Sequence, residues 1–153
     1  MTVAALADRF VACFPKLNAE ERRVFVALYR ELSLGEPVSA QQLAQRAGVS
    51  LHQVKALLDA MPAVYREDGK VTGFWGLTLR KLSKHRFHIG NRTLYTWCAW
   101  DALFIPMILA KTAEVESEDP HSGAPIRLTV APDGVQAVAP HGTVVSMLEP
   151  RED

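Results

Sequence analysis

Along the first half of the chain, apolar residues recur at helical spacing. Val3, Leu6, Phe10, Val11 and Phe14 define one face, and Pro15 ends that element. Asn18 followed by Glu21 has the form of a capping box, and the helix behind it carries Val24, Phe25, Leu28, Tyr29 and Leu32 to a stop near Gly35. Ser39 with Gln42 repeats the signal before a short helix through Leu43 and Ala44. Ala47-Gly48-Val49-Ser50 reads as the turn of a helix-turn-helix, with Ser50 capping a further helix that places Val54, Leu57 and Leu58 on one face. Tyr65 to Phe74, turning at Asp68-Gly69, reads as a β-hairpin. Helices followed by such a hairpin form a winged-helix pattern.

Beyond Phe74 the period changes to that of strands around one helix. Phe74 to Leu82 and His85 to Ile89 alternate, Gly90-Asn91 turns, and Arg92 to Tyr95 returns. A helix follows from about Trp97 to Ala110, with Pro106 shaping its middle. Thr112 to Glu116, Ile126 to Ala131, Val135 to Val138 and Thr143 to Leu148 read as short strands, joined by turns at Asp119 to Ser122 and Pro132 to Gly134. The expected class is α+β. A winged-helix-like three-helix lobe (residues 1–73) precedes a mixed or antiparallel β-rich lobe (residues 74–153) built around one helix, with the boundary within Gly69 to Gly76.

Composition narrows the functional classes. The chain has 153 residues, 48% of them hydrophobic, enough for one domain or two small lobes sharing a core. Its 17 basic and 17 acidic residues cancel, so nothing in the balance draws it to nucleic acid or an anionic membrane. The helix after Ser50 would expose His52, Gln53 and Lys55 with Asp59 behind them, but Glu20, Glu21, Glu31 and Glu36 offset the neighbouring arginines. A groove-reading helix needs a basic footprint for phosphates, so the lobe reads as structural rather than DNA-binding. Asp8 and Arg9 interrupt the N-terminal region, which argues against a signal peptide, and Trp97 to Ala110 is too short to span a bilayer. Cys13 and Cys98 make no disulfide framework, so the cytoplasm is the expected location. His52, His85, His88, His121 and His141 are scattered, and His85 and His88 on one strand would point to opposite faces. No zinc-like spacing is present.

Candidate chemistry concentrates in Cys98-Ala99-Trp100-Asp101. Residues three apart share a helix face, and a thiol in a first helical turn sits in a field that favours the thiolate. The segment could therefore hold a soft nucleophile beside a proton-carrying carboxylate. The plainer alternative is a cysteine that fills space and an aspartate that matches the helix dipole. Trp97 and Trp100 read first as packing residues, one of which could wall a pocket.

The run from Arg92 to Pro106, with Tyr95-Thr96-Trp97-Cys98-Ala99-Trp100-Asp101 at its centre, resembles the active-site segment of the organomercurial (alkylmercury) lyases. Gly76-Leu77-Thr78-Leu79 resembles that family's strand entering the catalytic part. Thr112-Ala113, Val115, Ser122-Gly123-Ala124-Pro125, Leu128-Thr129-Val130, Val135-Gln136-Ala137-Val138, Pro140 and Gly142 follow in the family's order. The resemblance runs from about Pro37 to the C-terminus. It implies protonolysis of a carbon–mercury bond, giving a hydrocarbon and Hg(II), with no resident cofactor and no membrane.

In that scheme Cys98 binds mercury, a soft metal suited to thiolate. Asp101 takes the thiol proton, delivers a proton to the leaving carbon, and stands beside the bound mercury. The product Hg(II) would pass to cellular thiols and a mercuric reductase. The resemblance also implies a second active-site cysteine, downstream of where this sequence stops, and another family cysteine at the position of Asp119. The expectation is thus a C-terminally shortened homologue that borrows its second sulfur from a small external thiol. A mercury-binding homologue with little turnover and a winged-helix regulator are the alternative functions.

Overall fold

The computed structural model describes Ala5, Asp8, Arg9, Val11, Ala12 and residues 14–146. Val3, Leu6 and Phe10 of the first expected helix lie outside the described residues, as do Cys13 and residues 147–153. Ala5, Asp8, Arg9, Val11 and Ala12 are helical.

Three capped helices follow: α1 (Ala19–Leu32), α2 (Ala40–Ala47) and α3 (Leu51–Ala60). Each begins with a reciprocal capping box, Asn18 with Glu21, Ser39 with Gln42 and Ser50 with Gln53, which satisfies amides that have no partner inside the helix. Gly48 ends α2 at φ 64°, a conformation in which a side chain is unfavourable. The apolar stripes of these helices meet: Val24, Leu28, Leu32, Leu43 and Val54 are almost fully buried.

The remainder of the described residues is one antiparallel sheet with a single long helix against it. Its strands are β1 (Val64–Glu67), β2 (Lys70–Phe74), β3 (Leu77–Thr78), β4 (Arg86–Ile89), β5 (Arg92–Thr96), β6 (Ala113–Glu118), β7 (Pro125–Ala131) and β8 (Gly134–Ala139), in the order 1-2-3-5-4-6-7-8. Every pairing is antiparallel. The helix, α4 (Ala99–Leu109), connects β5 to β6 and packs on β5 to β8 and on α1. It continues through Pro106. Ala102, Ile105 and Leu109 of α4 join Phe74, Leu77, Phe87, Leu94 and the α1 stripe in one contiguous core. The fold class expected from the pattern, α+β with N-terminal helices ahead of an antiparallel sheet, is the one observed.

Two expected strands differ. The alternation from Phe74 to Leu82 is broken at Trp75-Gly76, where the chain reverses between Phe74 and Leu77. Beyond that turn, only Leu77–Thr78 is strand before Arg86. After Thr78 the Leu79 amide still donates to the Thr72 carbonyl (2.9 Å), and then hydroxyls engage the backbone: Thr78 Oγ1 accepts from the Arg80 amide (3.0 Å), and Ser83 Oγ accepts from the His85 amide (3.0 Å) while donating to the Thr96 carbonyl (2.5 Å). The second is Thr143 to Leu148. Residues 143–146 form no strand, because Thr143 folds back, its amide and hydroxyl both donating to the Pro140 carbonyl (3.3 and 2.7 Å).

Candidate active site

Strand β5 delivers the chain to the start of α4. Thr96 is fully buried at its end, paired with Leu77. Cys98 then takes the N-cap position in extended conformation (φ −140°, ψ 173°), and Asp101 falls at the third helical position. The Cys98 amide donates to Asp101 Oδ2 at 2.9 Å, one half of a capping box in which the thiol stands where a hydroxyl or amide is usual. Thr96 Oγ1 donates to the Cys98 carbonyl at 3.0 Å, and the Trp97 amide donates to the Gly76 carbonyl at 2.9 Å. The structure thus brings Cys98 and Asp101 into one turn, with the cysteine free of any disulfide and open to solvent.

Their electrostatics differ from the field argument made on sequence. The thiol lies above the ordinary range for cysteine: partial burial pushes it up, the Asp101 amide pulls it back, and the Asp101 carboxylate pushes it up again. The helix N-terminus favours the thiolate, but desolvation and the adjacent carboxylate outweigh it here. Asp101 is also raised, by burial first, while the Cys98 contacts and the charge of His85 act in the opposite direction. Each group therefore holds its proton more firmly than it would in water.

The surroundings of Asp101 were not legible in advance. Gly76, expected to open a strand, is at the tip of the β2–β3 hairpin, and a Cβ on it would lie 2.4 Å from Asp101 Cγ and 2.5 Å from Oδ1. Trp75 and Gly76 both have positive φ (34° and 92°), as a two-residue type I′ turn requires. That conformation costs a bulky residue about 1–3 kcal/mol unless neighbours enforce it. Here the Tyr29 hydroxyl donates to the Trp75 carbonyl (2.7 Å), the indole donates to the Pro62 carbonyl (3.0 Å) and the Trp75 amide to the Ala63 carbonyl (3.2 Å). Tyr29 is raised well above the ordinary phenol range by burial and then by the charge of Asp101. His85 is held down by burial and drawn back up by Asp101, and it shares a 2.7 Å hydrogen bond with Ser117 Oγ.

An apolar cavity of about 380 Å³ lies between α1, α4 and this hairpin, walled in part by Phe25, Tyr29, Phe74, Trp75, Trp100 and Phe104. Cys98 and Asp101 do not line it; their chain neighbour Trp100 and Gly76's neighbour Trp75 do. Of the two tryptophans in the segment, Trp100 thus walls a cavity. Trp97 packs edge-on against Tyr65 at 5.1 Å, its buried Nε1 without a hydrogen-bond partner among the described residues.

The other singled-out groups have local tasks. Asp119 Oδ1 accepts from the His121 and Ser122 amides (3.0 and 2.7 Å) and the Ser122 hydroxyl (2.9 Å), shaping the β6–β7 turn. His88 Nδ1 shares a bond with Thr93 Oγ1 (3.1 Å). Among the described residues no group of three or more His, Cys, Asp or Glu could hold a metal ion, and no helix is long and apolar enough to cross a membrane. In the helix-turn-helix lobe, Gln53 is committed to capping and donates to Glu20 (3.1 Å). Arg46 pairs with Glu31, Arg66 with Asp59, and Arg80 with Glu67.

Comparison with known proteins gives the following. Residues 79–153 match the family described as alkylmercury lyase, and residues 2–75 match the helix-turn-helix domain of alkylmercury lyase. An alkylmercury lyase of Pseudomonas putida is 44% identical over 128 residues, covering 83% of this chain and 59% of that protein. One of Staphylococcus epidermidis is 38% identical over 130 residues (84% and 59%), and one of Streptomyces lividans is 39% identical over 148 residues (95% and 68%). The chain thus spans about 59% of the length of the first two relatives. The crystal structure of the mercury-bound form of MerB2 shares the fold, with a TM-score of 0.64 at 23% identity over 90% of this chain and 66% of that one.

Proposed function

This chain belongs to the alkylmercury lyase family, and from that membership we propose that it cleaves carbon–mercury bonds by protonolysis, in the service of mercury detoxification. The observation that carries the proposal is the shared turn of Cys98 and Asp101: a solvent-open thiol at the N-cap, with the carboxylate that bonds its own amide at 2.9 Å.

In the first step the thiol of Cys98 meets an organomercurial, R–Hg–X. Mercury bonds to sulfur, X leaves with its electron pair, and the thiol proton moves to Asp101. The raised thiol poses no obstacle, because a soft metal competes for sulfur far better than a proton does. A small external thiolate adds as a second sulfur ligand and raises electron density at the carbon. Asp101 then donates its proton to that carbon. The carbon–mercury bond breaks with its electron pair going to carbon, R–H leaves, and Hg(II) remains on sulfur. An aspartate raised by burial suits this role, since it accepts and retains a proton more readily than an ordinary carboxylate. The product passes to cellular thiols and a mercuric reductase. The cytoplasm, where small thiols are kept reduced, is the matching compartment.

The direct test is incubation of the chain with a phenylmercury or methylmercury salt and a range of small-thiol concentrations, with the hydrocarbon measured in the headspace. Release that rises with thiol is the expected result. Stoichiometric capture without hydrocarbon at any thiol concentration would leave only a mercury-binding protein.

A further inference from the structure

We propose that the Trp75-Gly76 tip of the β2–β3 hairpin is the seat of the Asp101 carboxylate, and that Gly76 and Tyr29 are positioning residues for proton delivery beside Cys98. The catalytic consequence rests on the lyase reading; the seat itself is a matter of geometry.

The argument starts from space. A Cβ on Gly76 would come within 2.4 Å of Asp101 Cγ, 2.5 Å of Oδ1 and 2.9 Å of Cβ, so the carboxylate occupies the room that a side chain at position 76 would need. The carbonyl of the same residue accepts from the Trp97 amide at 2.9 Å and fixes the chain one residue before Cys98. One glycine therefore touches both ends of the reactive turn. Its own place is set by Trp75, whose left-handed conformation is enforced by Tyr29, Pro62 and Ala63. Tyr29 reaches the tip from α1, so the helical lobe holds the hairpin that holds the carboxylate.

The neighbouring hairpin supplies a control. Asp68-Gly69 also joins two strands with positive φ at both residues (48° and 74°), but a Cβ on Gly69 would meet nothing within 4 Å. Alanine at either position suffers the same class of backbone strain. Only at position 76 does it also collide with Asp101.

Two measurements on the full chain test the seat. The first is a melting cycle with Gly76→Ala, Asp101→Ala and the double variant. The loss in melting temperature from Gly76→Ala should shrink in the Asp101→Ala background, where the carboxylate is gone, whereas Gly69→Ala should lose the same in both backgrounds. The second separates capture from cleavage. Gly76→Ala should take up phenylmercury at a rate within roughly threefold of the parent but release benzene about 100-fold more slowly, the scale of a misplacement near 1 Å. Tyr29→Phe, which keeps the ring and removes one hydrogen bond, should slow release by roughly five- to tenfold with capture unchanged.

Strictly additive melting losses, or release at parental rate from Gly76→Ala, overturn the seat. If Gly76→Ala does not fold while the double variant does, the seat is supported. If neither folds, Tyr29→Phe decides, and a parental release rate overturns it. A parent chain that captures mercury and never releases hydrocarbon overturns the lyase reading instead, and the melting cycle then judges the seat alone.

Discussion

The starts of α3 and α4 use the same local device for different ends. At α3, Ser50 and Gln53 cap one another, and the serine hydroxyl also bonds Gln53 Oε1 at 2.7 Å, so the pair closes on itself. At α4 the partners are a thiol and a short carboxylate. Asp101 bonds the Cys98 amide and also contacts the thiol, but sulfur is a weak donor and acceptor, so the thiol is held less firmly than the serine hydroxyl. The first box caps its helix, and Gln53 also donates to Glu20 of α1. The second has the same two halves, with a thiol in place of the hydroxyl as its cap atom. What distinguishes the two helix starts is therefore the residue type at the cap rather than the geometry.

The sharpest way to break this comparison is to give the second box the chemistry of the first. Cys98→Ser should abolish stoichiometric mercury capture, measured by mercury content after desalting, while the melting temperature holds or rises, because a hydroxyl caps better than a thiol. Cys13→Ser should change capture little. Equal loss from both substitutions would show that the thiols share the metal. Next in size, Asp101→Ala should leave capture largely intact and slow hydrocarbon release by about 10²–10⁴-fold, the range of a lost general acid. Loss of capture alone would move Asp101 from proton delivery to metal binding.

Ser50→Ala is the reverse experiment. It should cost about 1 kcal/mol in chemical denaturation and leave capture and release at parental rates. The smallest effect concerns protonation. Alkylation of Cys98 by iodoacetamide, followed by mass spectrometry of its peptide, should rise with pH through a midpoint above the ordinary thiol range, since burial and the Asp101 carboxylate both favour the neutral thiol. Asp101→Asn removes the like charge and should lower that midpoint. A midpoint below the ordinary range in the parent would mean that the helix field dominates after all.

Much of this could be read in advance where the causes are local. The pairs Asn18/Glu21, Ser39/Gln42 and Ser50/Gln53 lie within one helical turn, and each became a capping box at the expected residue. Asp68-Gly69 announced its hairpin because both residues tolerate positive φ. Cys98 and Asp101 were visible for the same reason, three residues apart at the start of an apolar segment. Trp75-Gly76 was not. Tryptophan does not favour that conformation, and the groups that enforce it come from Tyr29, Pro62 and Ala63, the first of them 46 residues away. The departure after Thr78 leaves no mark on the apolar alternation, because it is held by hydroxyls of Thr78 and Ser83 bonding to the backbone.

The sequence by itself determined the helices, most of the strands, the α+β class and the placing of a thiol and a carboxylate within one helical turn. These follow from spacing, capping chemistry and side-chain identity, all of which act over a few residues. Only the tertiary structure decided how those two residues behave. Burial is a property of the packed molecule, and it raises both Cys98 and Asp101 against the local helix field. Contact is another: the floor beneath Asp101 is a glycine 25 residues earlier, placed there by a hairpin that a tyrosine from α1 holds in shape.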